Sequence, residues 1–148
     1  MNYQELLEVL APCGLNCAKC LSHHKGEIKS LSQGLQERLG SFDHYAERFV
    51  NFNPVFKNYQ GFKEILNFFT QGTCQGCRQG TCLNSACRII TCHREKGVDF
   101  CFLCEEFPCD KSNLDPNLKE RWIAMNKRMK EISVEGYWEE IKDLPRYR

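Results

Sequence analysis

Apolar residues recur at three- and four-residue steps through most of this chain, and few stretches alternate as a half-buried strand does. Tyr3, Leu6, Leu7 and Leu10 lie at i, i+3, i+4 and i+7, which predicts a short amphipathic helix. Pro12 ends it, because proline lacks the N–H that a continuing helix needs. Lys19 to Lys25 is read as a helical turn broken by Gly26. Ile28, Leu31, Leu35 and Leu39 line one face of a second helix, closed by Gly40 as its C′ residue. Gly34 within it costs about 1 kcal/mol against alanine, so this helix needs tertiary support.

Ser41 is placed to cap a third helix whose face is Phe42, Tyr45, Phe49 and Phe52. Asn53-Pro54 reads as a cap followed by proline in the first turn. It opens a helical stretch carrying Phe56, Tyr59, Phe62, Leu66 and Phe69, with a kink expected at Gly61. Such aromatics are expected to form core and not a ligand pocket. Ser85 to Lys96 has helical character, with Gly97 as its stop, and Phe100 to Cys109 reads as a knuckle and turn ended by Pro108. Asp115-Pro116 opens the last long helix, along which Leu118, Trp122, Met125, Met129 and Ile132 form a seam. Ser133 is expected to cap a final short helix, Val134 to Asp143, with Trp138 and Ile141 facing inward.

One region breaks this pattern. From Gly72 onward there are few large apolar residues until Ile89 and Ile90, so hydrophobic burial alone cannot hold the stretch. It is rich in cysteine instead. Of eleven cysteines in 148 residues, eight lie between Cys74 and Cys109, and Cys13, Cys17 and Cys20 form a group near the N-terminus. The fold predicted is therefore mainly α: an irregular helical domain with a metal-stapled cysteine-rich region and little or no β-sheet. A single domain is expected over 1–148, with cysteine-rich metal-binding parts at about 11–26 and 72–112 and helical parts at about 27–71 and 114–145.

The formal net charge is +1, which gives no strong electrostatic signal for nucleic acid or an anionic membrane. No apolar run approaches the roughly 18 residues that span a bilayer. The first residues, Met1 to Ala11, are acidic and amphipathic, unlike a secretory signal, so the expected location is cytoplasmic. In a reducing compartment structural disulfides are rare, and an odd count prevents full pairing within one chain.

Three C-x2-C pairs, Cys17/Cys20, Cys74/Cys77 and Cys101/Cys104, each present two thiols from a tight turn. Four thiolates satisfy the tetrahedral preference of zinc, and the count suits two such sites with three cysteines left over. One pairing joins Cys17 and Cys20 to Cys74 and Cys77. The second joins Cys101, Cys104 and Cys109 to Cys92 or Cys87. Cys13 can displace a member of the first set, and Cys82 is left as the spare. His93, beside Cys92, is a further candidate ligand, although a lone helical histidine is more often a surface or core residue. The spacing Cys13-x3-Cys17-x2-Cys20 is also used for iron–sulfur clusters in radical enzymes, but this chain is too short and too helical for their barrel. A thioredoxin-like dithiol would need a strand leading into a helix, and no such pattern occurs.

Three blocks carry a family resemblance. They are Ala11-Pro12-Cys13-Gly14-Leu15-Asn16-Cys17-Ala18-Lys19-Cys20, then Cys74-Gln75-Gly76-Cys77-Arg78, then Cys87 through Cys92 and Lys96-Gly97-Val98 to Cys101-Phe102-Leu103-Cys104 and Cys109. In order and content they resemble an uncharacterised cysteine-rich bacterial and archaeal family, domain of unknown function 3795, over about residues 8–112. The resemblance implies a cysteine-ligated metal protein, with zinc the expected metal. It assigns Cys13, Cys17, Cys20, Cys74, Cys77, Cys87, Cys92, Cys101, Cys104 and Cys109 to motif positions and leaves Cys82 outside. It supplies no reaction.

Three functions compete at this level. The first is a structural-zinc module that binds a partner, which is protein or, with weaker support, nucleic acid. Arg78, Arg88, Arg94 and Lys96, with Lys119, Arg121, Lys127, Arg128 and Lys130 on the last helix, would carry the nucleic-acid branch. The second is iron–sulfur electron transfer, or an accessory role of that kind. The third is a zinc-dependent enzyme, with Glu105 or Glu106 beside Cys104 as base; all-cysteine sites are usually structural, and no H-E-x-x-H or deaminase arrangement is present.

Overall fold

A computed structural model describes all residues 1–148. The chain forms two compact units: Met1–Cys20 with Cys74–Arg148, and Leu21–Thr73 between them in sequence. Both are helical, and the only β-type pairing within the first unit is an isolated bridge between Leu10 and Asn16.

The first unit starts with α1, Tyr3–Val9, capped by the Asn2 side chain on the Glu5 N–H. The chain then turns tightly, with Ala11 N–H bonded to Leu15 O at 2.9 Å and Cys17 N–H to Val9 O at 2.7 Å. Gly14 makes this turn possible. Its φ is +92°, and a Cβ there would lie 2.9 Å from Met129 Cε and 3.1 Å from Met125 Cβ. The Lys19 to Lys25 stretch forms turns and no helix. Ser22 and His23 are buried within those turns, and Gly26 follows them.

The longest helix of this unit spans Pro116–Ile141, opened as expected by the Asp115 carboxylate accepting the Leu118 N–H. Ser133 interrupts it with φ +70° and caps the second segment through Gly136 N–H, so the predicted break is present. Its inner face meets α1: Leu6, Leu10, Phe100, Met125, Met129, Val134, Tyr137 and Ile141 form one apolar cluster. Ala11, Cys13, Cys17, Ile89, Cys101 and Trp122 form a second. Burying a large aliphatic or aromatic side chain is worth about 1.5–3 kcal/mol, so these clusters account for the stability of the helical frame.

Beside the apolar contacts of Phe100, Ile89 and Cys101, polar bonds tie the cysteine-rich stretch to that frame. Asn126, fully buried, accepts the Phe102 N–H on Oδ1 and donates from Nδ2 to Cys13 O and Trp122 O. Tyr137 donates to Gly14 O at 3.1 Å, and Cys101 N–H donates to Pro12 O at 2.9 Å. Arg78 donates to Leu10 O and Asp99 O and lies over the Phe100 ring, 4.9 Å from its centroid. The helix expected over Ser85 to Lys96 is shorter, Ile89–Glu95, and the residues before it form turns in which Ser85, Ala86 and Arg88 are exposed. Gly97, at φ +64°, follows its end.

The second unit contains Glu27–Leu39, Asp43–Phe49, a 3-10 segment Pro54–Asn58 and Tyr59–Thr70. Asn53 caps the 3-10 segment by accepting the Val55 N–H, with Pro54 at its start. Gln36 to Asn67 and Gln33 to Thr70 O bonds align the first and last helices antiparallel. Phe42 packs edge-on against Phe49 and Tyr59 and beside Phe56, but the expected aromatic core is only partly realised: Phe42, Phe56 and Tyr59 are half-buried, Phe49, Phe52 and Phe62 are exposed, and the buried residues here are Ala46 and Leu66. Two further details differ from expectation. Ser41 does not cap the Asp43 helix, whose preceding residue is Phe42 in helical geometry. The Leu31 and Leu35 face is exposed, with Leu31 73% accessible, and the small Ser32 is the buried residue of that helix. A helix packing through a small residue approaches its neighbour closely and turns its larger side chains outward.

Candidate metal centre

No cysteine is in a disulfide. The sulfurs fall into two neighbourhoods, both within the first unit.

The first is built from the 13–20 turn and the 74–82 loop. Gly76, at φ +99°, and Gly80, at φ +78°, let the loop fold back on itself. Gly76 N–H donates to Cys74 Sγ at 3.3 Å, the Cys74 thiol donates to Thr81 O at 3.4 Å, and Thr81 Oγ1 accepts the Gln75 N–H at 2.8 Å. Thr81 thereby closes the loop and brings Cys82 round to Cys77. The Cys77 thiol interacts with the sulfurs of both Cys17 and Cys82, and its backbone N–H also reaches Cys17. Those donations stabilise the partners as thiolates. The Cys77 thiol, helped by Arg146, draws Cys17 down to about 7 against the effect of burial. The same thiol draws Cys82 down to about 6, with the Asn84 N–H and Arg146 adding to it. Cys77, whose single S–H has both sulfurs as neighbours, is pushed up. Burial pushes Cys13 up to about 12, although the Leu15 N–H and Arg146 work the other way.

Arg146 has no carboxylate partner. Its Nη1 donates to Asn16 O at 2.5 Å. Burial disfavours its charge, and the sulfurs of Cys20, Cys17 and Cys13 more than offset that. Cys20 also accepts from Tyr147 OH at 3.7 Å.

The second neighbourhood surrounds a cavity of about 30 Å³ lined by Cys92, Cys101, Cys104 and Cys109. Three local structures supply them: the Ile89–Glu95 helix carries Cys92, the 3-10 turn Cys101–Leu103 and its end carry Cys101 and Cys104, and the following turn carries Cys109. Ile89, Phe107 and Trp122 form apolar walls. Burial pushes Cys101 up to about 12, opposed by the Trp122 indole N–H and reinforced by Cys92, Cys109 and Cys87. The indole nitrogen has no acceptor at normal hydrogen-bond distance, and Cys101 is the group it influences. Burial also raises Cys92, with further contributions from Cys109 and Cys104. Cys87 lies between the two neighbourhoods, influenced by Cys82 and influencing Cys101, with the Ile89 and Ile90 N–H groups turned toward its sulfur.

His93 lines the same cavity, buried, with Nε2 unpartnered and its imidazole held neutral first by burial and then by Arg78 and Arg94. Glu106 pairs with Lys111 and Lys96, which hold its carboxyl down to about 2, so it is a weak base. Glu105 is exposed.

Of the ten cysteines expected as ligands, the structure thus brings Cys17 to Cys77, with Cys13 beside Cys17. It gathers Cys92, Cys101, Cys104 and Cys109, and leaves Cys87 between. Cys20 faces Tyr147 and Arg146, and Cys74 faces Thr81. No group of three or more His, Cys, Asp or Glu side chains is already posed as a metal's ligands. The donor set itself fits a thiophilic ion: soft sulfurs, N–H donors turned toward Cys13, Cys74, Cys82 and Cys87, and a guanidinium to balance thiolate charge. Sequence reasoning set Cys82 aside as the spare and did not single out Arg146 or Asn126. The Thr81-Cys82 step after C-x2-C was a usable signal for the first; a single arginine or asparagine far along the chain gives none.

Fold and site together define a small helical protein with a cysteine-rich region docked on its helical frame. The chain belongs to the DUF3795 family, described as proteins of unknown function, whose model matches residues 9–114. No curated protein and no solved structure matches it.

Proposed function

We propose that this chain is a cysteine-ligated zinc protein in which metal secures the cysteine-rich region, and that it acts as a module binding a partner protein. The supporting observation is the convergence of Cys92, Cys101, Cys104 and Cys109 on one small, apolar-walled cavity. Four uncharged thiols in such a place have little to hold them there, whereas zinc would bind them as thiolates and release their protons to solvent. The space is on the scale of about one or two water molecules, which suits a single ion better than a multi-iron cluster. Cys17 and Cys77, with neighbouring sulfurs, would hold a second ion.

A structural role fits better than a catalytic one. Glu106 is tied to two lysines, and a site of four cysteines leaves no open position for water. Several basic residues considered for nucleic acid are engaged elsewhere: Arg78 with backbone carbonyls, Arg128 with Glu131 and Glu140, Lys119 with Asp110. A protein partner is favoured by the apolar side chains exposed on the second unit, Leu31 and Leu35 on one helix and Ile65 and Phe68 on another. No helix is long and apolar enough to cross a membrane; a cytoplasmic location belongs to this reading, because thiolate ligands stay available in a reducing compartment.

Elemental analysis and a visible spectrum of anaerobically purified protein test this reading. Colourless protein with zinc near about two per chain supports it. Brown protein containing iron and sulfide refutes zinc in favour of an iron–sulfur role.

A further inference from the structure

We infer that the first unit carries a separate small-molecule site, independent of metal, for an apolar carboxylic acid with a hydrogen-bond donor on the carbon beside its carboxyl group. The site lies where the 14–16 turn, the Pro116–Ile141 helix and the 144–148 segment meet. Its inner cavity is about 20 Å³, room for about one or two water-sized atoms, and Arg121, Arg146 and Arg148 all line it. An outer cavity of about 320 Å³ shares Met125, Tyr137, Ile141, Leu144 and Arg148 with it.

The charges call for an anion. Arg128, at the outer cavity, is neutralised by Glu131 and Glu140, whereas no Asp or Glu side chain pairs with Arg121, Arg146 or Arg148. Arg146 also faces the cysteine turn, which leaves Arg121 and Arg148 without a side-chain counter-charge. Guanidiniums gathered around one small cavity repel one another until a negative charge enters. Two of them are fixed by backbone, Arg121 donating to Arg146 O at 2.6 Å and Arg146 to Asn16 O at 2.5 Å. Each bond uses one of a guanidinium's five N–H groups, so donors remain for an oxyanion.

Asn16 gives an independent pointer to a ligand. It lines the inner cavity, is 6% exposed, and neither its Nδ2 nor its Oδ1 has a hydrogen-bond partner. A buried amide left unpaired at both ends is costly, and a native site answers it with a bound partner. Nδ2 is a donor for a carboxylate oxygen. Oδ1 needs a donor in return, and a simple carboxylate only accepts, so the ligand carries a hydroxyl or ammonium beside its carboxyl group. Two carboxylate oxygens suit the inner cavity better than a tetrahedral phosphate does. Met125, Ile141 and Leu144, common to both cavities, are the walls for the apolar body.

Isothermal titration of the full-length protein at low salt tests this, with free leucine, 2-hydroxy-4-methylpentanoate, 4-methylpentanoate and inorganic phosphate as probes. Leucine or the hydroxy acid should saturate one site, at least about 10-fold more tightly than 4-methylpentanoate, which lacks the donor. Asn16→Ala and Arg148→Gln should each weaken that binding by about 10–100-fold. The Asn16 amide has no bond to lose, so Asn16→Ala should melt no lower than wild type, and Arg148 is exposed; lost binding is thereby kept apart from lost folding. No saturable binding of leucine or the hydroxy acid up to about 10 mM overturns the inference and leaves water as the partner of Asn16. Tighter binding of phosphate than of both acids, or unchanged affinity in both variants, overturns it as well. None of these outcomes bears on the zinc reading.

Discussion

Asn126 is the side chain through which the helical frame grips both cysteine segments. It is fully buried, and its amide bonds Phe102 N at 3.0 Å, Cys13 O at 2.9 Å and Trp122 O at 3.0 Å. In Asn126→Ala, Trp122 O keeps its place in the helix, where the residue 126 N–H remains a partner. The Phe102 N–H and the Cys13 carbonyl lose their bonds to this side chain. An unsatisfied buried group costs about 1–3 kcal/mol, so two give roughly 2–6 kcal/mol, with a further loss for the space vacated. The expected destabilisation is about 3–5 kcal/mol, a large part of a typical stability of about 5–15 kcal/mol. At about 2–4 °C per kcal/mol for a chain near this size, the melting temperature should fall by roughly 10 °C. Urea unfolding followed by tryptophan fluorescence measures it, with zinc held in fixed excess so that metal linkage does not enter the comparison. A loss below about 1 kcal/mol would show that Asn126 is not the clasp described, because even one orphaned buried group should cost more.

Two further substitutions test the frame and the charge balance. Gly14→Ala forces a side chain into positive φ and against Met129 and Met125, so it should cost about 2–3 kcal/mol in the same assay. Arg146→Gln removes the guanidinium acting on Cys17, Cys20 and Cys82, and should weaken zinc binding by about 10–100-fold in a competition titration with a chromophoric chelator. An unchanged zinc affinity would mean the guanidinium does not support the centre.

Much of the helical frame was legible because its signals are local. Asp115-Pro116, Asn53-Pro54 and Ser133 each carry their cap in the adjacent few residues, and the Trp122, Met125, Met129 seam follows from helical spacing alone. The Leu31 and Leu35 face misled for the opposite reason: periodicity shows that a face exists, but which face packs depends on the neighbouring helix and on the small Ser32. At the cysteines, spacing located the knuckles. It could not show how Thr81 closes the 74–82 loop, because that lies in side-chain hydrogen bonds and in two glycines at positive φ. Nor could it place Arg146, whose relation to Cys17 is set by tertiary structure across most of the chain.

The most direct test of the account is amide hydrogen exchange on zinc-loaded protein before and after chelation. Residues 74–112 hold few apolar side chains beyond Ile89, Ile90 and Phe100 in their buried set, so metal should supply much of their protection. Chelation should collapse protection across 74–112 and the 11–20 turn, while the Glu27–Leu39 and Tyr59–Thr70 helices keep theirs. Protection in 74–112 that survives complete removal of metal would contradict the claim that metal holds this region together.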